Sequence, residues 1–158
     1  RTVRGLEALA LSIPPTPGNS IVRRPNNENL FNIATPLIAN GYVTKFIYGG
    51  DGYFDNMNYF FSHNGYKIID RTKFSASEIT FSNAWGVADE DLFNKTIAEA
   101  DESYKNNQPF FNFVLNNFAE FYLAIPRNSA YSAEFFLAIP QNSAEFRVSK
   151  FRGIRRNS

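Results

Sequence analysis

Phe110–Leu115 is apolar at every position except Asn112, the pattern of a parallel strand buried on both faces. Such a strand needs apolar cover above and below, which only helices on both sides of a sheet supply. The rest of the chain provides that alternation. Val43–Tyr48 is a second β-rich run and ends in Gly49-Gly50, a strand entering a loop. Lys67–Asp70 reads as a third, shorter strand. Between these lie stretches with helical spacing. Val3–Leu11 is a short helix stopped by Ile13-Pro14-Pro15-Thr16-Pro17-Gly18, because proline removes a donor and clashes with the preceding turn. Asn29–Asn40 carries Leu30, Ile33, Leu37 and Ile38 at helical spacing, with Pro36 as an expected kink and Asn40-Gly41 as a C-cap. Asp55 reads as the cap of a helix that buries Met57, Phe60 and Phe61 and stops near Asn64-Gly65. Asp89, Glu90 and Asp91 form a first turn where the helix dipole favours acids. Leu92, Phe93, Thr96, Ile97 and Ala100 carry that helix on to about Lys105. The expected fold class is α/β.

Composition narrows the function classes. A chain of 158 residues holds at most one domain of ordinary size, and its 17 Phe and 8 Tyr suffice for a small core. The net charge of +1 creates no global field for nucleic acid or anionic membrane. With no Cys, disulfides, thiolate metal sites and a Cys nucleophile are excluded. No apolar run reaches the roughly 18–20 residues needed to cross a bilayer, and no signal peptide is visible. The first residue is Arg rather than Met, which sets the expectation that an N-terminal part is missing.

Three blocks carry a resemblance. They are Thr2-Val3-Arg4-Gly5 at the head of a helix, Tyr48-Gly49-Gly50-Asp51-Gly52-Tyr53-Phe54-Asp55-Asn56-Met57-Asn58, and Trp85-Gly86-Val87-Ala88-Asp89-Glu90-Asp91-Leu92-Phe93. Together they resemble the lipoteichoic acid synthase-like phosphoglycerol transferases, sulfatase-related members of the alkaline phosphatase superfamily. The resemblance covers about residues 1–117 and implies a partial alkaline-phosphatase-like sheet flanked by helices. It also implies that intact relatives move a headgroup from phosphatidylglycerol to a glycan or polymer hydroxyl. They would do so at the outer or periplasmic side of the cell membrane, with Mn or Mg as cofactor. Hydrolysis of sulfate esters is the nearest chemical alternative, because one nucleophile and one metal serve both reactions.

By the same resemblance, Thr2 is the nucleophile, a metal ligand and the carrier of a phosphoglycerol ester; an ordinary helix N-cap is the alternative for this residue type. Arg4 is a candidate contact for the anionic headgroup, or else an exposed helix arginine. The family's aromatic–Asn–Arg trio falls on Asp55, Asn56 and Met57. Only Asn56 keeps its type, and Met57 cannot make the bidentate phosphate contact of an arginine; it reads as helix core. Asp55 is equally a cap or a site residue. His63, the single histidine, reads as a helix-end residue favoured by the dipole rather than as a ligand. Asp89, Glu90 and Asp91 diverge by about 100° per residue on a helix and cannot converge on one ion. Trp85 is expected to pack near the sheet edge. The other metal ligands that the resemblance implies are an upstream acid, a His after Phe110–Leu115 and a downstream Asp-His pair, and none is in this sequence. The expectation is therefore a fragment that binds no metal stably and is inert by itself. Its two principal strands are expected to lack neighbours on at least one side, favouring self-association.

After Asn117 the pattern changes. Ile125-Pro126-Arg127-Asn128-Ser129-Ala130 recurs as Ile139-Pro140-Gln141-Asn142-Ser143-Ala144 and decays into Ile154-Arg155-Arg156-Asn157-Ser158. Residues 1–117 hold 10 basic and 12 acidic side chains, residues 118–158 hold 6 and 3. A basic aromatic binding surface around Phe146, Arg147, Lys150, Phe151, Arg152, Arg155 and Arg156 is one reading. Repeat DNA read through after an insertion or deletion is the other and is preferred, since the repeat begins where the resemblance ends. The division expected is a partial catalytic domain over 1–117 and a repeat-containing, mobile tail over 118–158, with no nucleic-acid partner.

Overall fold

The strands Val43–Tyr48 (β1) and Phe110–Leu115 (β5) form at the bounds expected and lie side by side. They run parallel, from Val43 opposite Phe110 to Tyr48 opposite Leu115. The computed structural model describes residues 2–116 with their side chains and residues 121–126, 133–139 and 147–152 as backbone. Every residue of β5 is buried, as are Thr44, Lys45, Phe46 and Ile47 of β1. Lys67–Ile69 (β2) pairs parallel with β1 on its other side.

Two helical layers supply the cover this pair needs. On one face Phe46, Phe111, Phe113 and Leu115 share a single cluster with Val3, Leu6 and Ala10 of α1 (Thr2–Leu11), and that cluster also takes in Ala34 of α2 (Ala34–Ala39) and Met57, Phe60 and Phe61 of α3 (Met57–Ser62). Phe46 stacks on Phe61 with ring centres 3.9 Å apart. On the other face Ile47 and Val114 meet Leu92 of α4 (Asp89–Lys105), with Val87 and Phe74 completing the cluster. Lys45 is buried on the α4 side. Its ammonium donates to Glu99 Oε2 at 2.9 Å, to the Glu99 carbonyl at 3.0 Å and to Ser103 Oγ at 3.2 Å. A buried ammonium is tolerated only with such full pairing.

Several expectations are corrected. The helix expected over Asn29–Asn40 forms only as α2. Asn32 takes the capping role, its Oδ1 accepting from the Ala34 amide at 2.8 Å. Pro36 consequently lies in the first turn, where its missing N–H leaves no bond unmade. It produces no kink, and Leu30 and Ile33 reach the core from the preceding loop. Trp85 sits in the turn of a separate two-stranded hairpin, Ser82–Asn83 (β3) with Gly86–Val87 (β4), and is 72% exposed rather than packed at the sheet edge. The principal strands do not lack neighbours: β1 lies between β2 and β5, and β5 lies between β1 and Phe121–Pro126 (β6). β6, Ala133–Ile139 (β7) and Arg147–Arg152 (β8) continue the sheet antiparallel, giving the order β2-β1-β5-β6-β7-β8. Extended pairing thus occurs in a segment from which no packed element was expected. Among the described residues the open edges are β2 and β8.

Asn112 is fully buried in β5 opposite Lys45, and neither atom of its carboxamide has a hydrogen-bond partner among the described residues. A buried, unpaired polar group costs about 1–3 kcal/mol. Asn112→Val should therefore raise stability by about 1 kcal/mol in urea melts, and a destabilised variant would reveal a buried partner, such as a bound water.

Candidate active site

β1 delivers the chain at Tyr48 into a loop with no room for side chains at two glycines. A Cβ on Gly50 would stand 2.5 Å from the Tyr48 ring and 2.6 Å from the Trp85 carbonyl oxygen; one on Gly52 would stand 1.9 Å from Asn58 Oδ1. The loop is anchored at several points. The Val87 amide donates to the Gly49 carbonyl at 2.9 Å, the Arg71 amide to that of Gly50 at 3.1 Å, and the Asn58 amide to that of Gly52 at 2.8 Å. Asn58 Nδ2 in turn donates to the buried Asp70 carboxylate at 2.7 Å. Tyr48 is half-buried, and its hydroxyl pKa is raised, first by burial and then by the charges of Asp55 and Asp51.

The loop ends in two consecutive left-handed residues, Asp55 (φ 56°) and Asn56 (φ 63°). Asp and Asn adopt this backbone more readily than other non-glycine residues, yet each instance still costs about 1–3 kcal/mol and persists only where its surroundings hold it. Here Arg23 Nη2 lies 3.4 Å from Asp55 Oδ1, and Asn56 Nδ2 donates to the Val22 carbonyl at 3.0 Å. Asp55 does not cap α3, which starts at Met57 directly after Asn56. Met57 is buried, as helix core.

Thr2 opens α1, half-exposed. The segment 16–24 joins that helix to the Asp55-Asn56 turn. Ser20 Oγ donates to the Val3 carbonyl at 3.0 Å. The Arg4 guanidinium donates to the carbonyls of Thr16 and Gly18, so two of its nitrogens are occupied by backbone. Arg24 likewise donates to Thr16 Oγ1, the Pro17 carbonyl and the Asn19 carbonyl, each at 2.7 Å. Residues Ile21–Arg23 then form a 3₁₀ turn whose other side meets Asn56 and Asp55. The four residues singled out in the sequence therefore converge on one short segment: Thr2 through its neighbour Val3, and Arg4, Asp55 and Asn56 directly.

Glu7 holds that segment. It is fully buried in α1, and its carboxylate accepts from the Thr16 amide at 3.3 Å, Thr16 Oγ1 at 3.1 Å and the Ile21 amide at 3.1 Å. Burial alone would raise its pKa. The hydrogen bonds from Ser20, Thr16 and Ile21 outweigh that and lower it below its ordinary value of 4.5. Sequence reading missed Glu7, Ser20, Arg23 and Tyr48. Glu7 carried a signal, since it shares the inward stripe of Val3, Leu6 and Ala10, where an acid requires partners.

Other titratable groups are accounted for structurally. His63 ends α3, stacks on Tyr59 at 4.1 Å and places Nδ1 2.8 Å from the Tyr59 carbonyl. Asp91 is buried and accepts from the Thr80 amide at 2.8 Å and Thr80 Oγ1 at 2.9 Å, while Asp89 accepts from Asn116 Nδ2 at 3.2 Å. The acids of this turn diverge, as expected. Among the described residues no group of three or more His, Cys, Asp or Glu could hold a metal ion. Thr2 could contribute one ligand at most, so these residues do not by themselves fit a metal centre.

The sulfatase family model matches residues 1–119. The chain belongs to the sulfatase family. It is similar to a protein of the alkaline phosphatase superfamily from Vibrio parahaemolyticus, with 34% identity and a TM-score of 0.67, covering 92% of this chain and 33% of that one. It is also similar to the lipoteichoic acid synthase LtaP from Listeria monocytogenes, with 25% identity and a TM-score of 0.63, covering 73% of this chain and 28% of that one. The chain thus spans about a third of the solved relatives it matches. Members of this superfamily generally use divalent metals. No described helix is long and apolar enough to cross a membrane.

Because the folded pKa of Glu7 lies below its unfolded value, its contribution to stability is fully present above pH 4.5 and fades as pH falls through the folded value. Glu7→Gln should lower stability at pH 7 by about 1–3 kcal/mol, and the gap to the parent should narrow below pH 4.5. A gap that stays constant into strong acid, in melts followed by circular dichroism, would contradict this role.

Proposed function

We propose that this chain carries the nucleophile-bearing part of a phosphoglycerol or related phospho-headgroup transferase. In this reading Thr2 Oγ1 attacks the phosphorus of a phosphatidylglycerol-type donor and a P–O bond forms. The bond to the diacylglycerol oxygen breaks, and that oxygen leaves with a proton. The headgroup is left as an ester on Thr2, and a glycan or polymer hydroxyl then attacks the same phosphorus and releases the threonine. The first turn of α1 favours the anion, since its amides and dipole present partial positive charge. The observation that carries the proposal is the placement of Thr2 at the head of α1, tied through Ser20 and Val22 to the Asp55-Asn56 turn. Similarity to a lipoteichoic acid synthase supports the transferase over the sulfate-ester hydrolase. A phospholipid donor implies reaction at a membrane surface, and similarity to a lipoteichoic acid synthase favours the outer face. A metal would favour the alkoxide, and no step is assigned to it because the described residues supply too few ligands. Residues 118–158 add nothing to the site in this reading, and the edges β2 and β8 are where a second copy would associate.

An isolated threonine hydroxyl is too basic to ionise near neutral pH. The purified chain should therefore turn over phosphatidylglycerol analogues, aryl phosphates and aryl sulfates only at background, with or without Mn. A chimera with residues 2–116 in place of the matching segment of the Listeria monocytogenes lipoteichoic acid synthase LtaP should release the headgroup from a phosphatidylglycerol analogue. Thr2→Ala in that chimera should reduce the release by at least about a thousandfold. A Thr2→Ala chimera as active as its parent, or one that accepts sulfate esters alone, would contradict the proposal.

A further inference from the structure

Met57, where the resemblance expects a phosphate-binding arginine, is 1% exposed and belongs to the core. Another cation stands beside the same turn. Arg23 and Asp55 stand side by side on the wall of an open cleft of about 700 Å³ that Glu28, Asn56 and Tyr59 also line. The Arg23 side chain is 55% exposed and is held over the cleft by its 3.4 Å pairing with Asp55. A guanidinium has five donors in a planar fork, and this pairing uses one. Arg24 also borders the cleft, but its guanidinium is turned to Thr16, Pro17 and Asn19.

The charges set the ligand class. Arg23 and Arg24 are balanced by Asp55 and by Glu28, whose carboxylate accepts from the Tyr59 hydroxyl. A bare inorganic anion would meet no surplus positive charge here and would be repelled by two carboxylates. A ligand carrying both an anionic phosphate and hydroxyl donors satisfies both signs at once, with phosphate on the arginine and hydroxyls on the carboxylates. We propose that Arg23, not residue 57, supplies the phosphate contact in this chain, and that the cleft between residues 23–28 and 55–59 takes a polyol phosphate. The assignment rests on the transferase reading, whose donor headgroup is a ligand of this kind. It makes Arg23 a substrate-binding residue and Asp55 a determinant of selectivity for hydroxylated phosphates over simple anions.

Isothermal titration of the 158-residue chain with sn-glycerol 1-phosphate, inorganic phosphate and methyl sulfate tests this. Glycerol phosphate should bind in preference to the other two. Arg23→Gln should weaken it by about tenfold or more, the loss expected for a charged hydrogen bond. Arg23→Lys should recover part of that affinity, and Asp55→Asn should erase the preference over inorganic phosphate. Thermal melts of the variants report on folding. Affinity unchanged by Arg23→Gln, equal binding of methyl sulfate and glycerol phosphate, or binding of none of the three would overturn the proposal. The titration involves no turnover, so failure of the transferase reading appears in the chimera and failure of this assignment in the titration.

Discussion

The parallel pairing of β1 with β5 is the constraint from which the rest of the structure follows. Both strands lie inside the sheet and bury residues on both of its faces, so neither can form without helices above and below. That requirement recruits α1 and α3 around Phe46, Phe111 and Phe113 on one side, and α4 around Ile47 and Val114 on the other. It also fixes where the candidate site lies. β1 ends at Tyr48, so the glycine loop emerges there, and α1 packs its Val3, Leu6 and Ala10 on the same face. Thr2 is positioned by this packing rather than by any contact of its own that the sequence advertises.

A second network acts on top of that scaffold. The Pro-rich segment after α1 could adopt many conformations, and Glu7 selects one by accepting the amides of Thr16 and Ile21 inside the protein. Arg4 and Arg24 close the same segment over its own carbonyls. The product is a rigid 3₁₀ turn against which Asp55 and Asn56 hold an unfavourable left-handed backbone. Strain of that kind persists only where the surroundings hold it, and the 3₁₀ turn does so through Arg23 and the Val22 carbonyl. The buried carboxylate in α1 and the exposed guanidinium of Arg23 are thus parts of one device.

Much of the scaffold was legible in the sequence, and for a physical reason. Strands buried on both faces and a long amphipathic helix leave strong, local patterns, and β1, β5 and α4 form at the bounds those patterns set. The helix over Asn29–Asn40 was misjudged because spacing alone cannot weigh a side-chain cap. Asn32 starts the helix late, while Leu30 and Ile33 pack half-buried against the core ahead of it. β6 and β7 were missed because Pro126 and Pro140 read as interruptions. Pro126 is the last residue of β6, so it closes that strand instead of breaking it. The site was half legible. The motif blocks named Thr2, Asp55 and Asn56 as candidates, but the segment joining them depends on hydrogen bonds between residues 9 to 34 apart in sequence, which no local pattern records.

Amide hydrogen exchange on the intact chain tests the central claim, that the β1–β5 pair is the last structure to open. Phe46, Ile47, Phe113 and Val114 should exchange only through global unfolding, with matched protection in the two strands and markedly less in the Gly49–Gly52 loop. Protection in β5 that falls well below that of β1, or to the level of the loop, would show that the parallel pair does not hold this fold together.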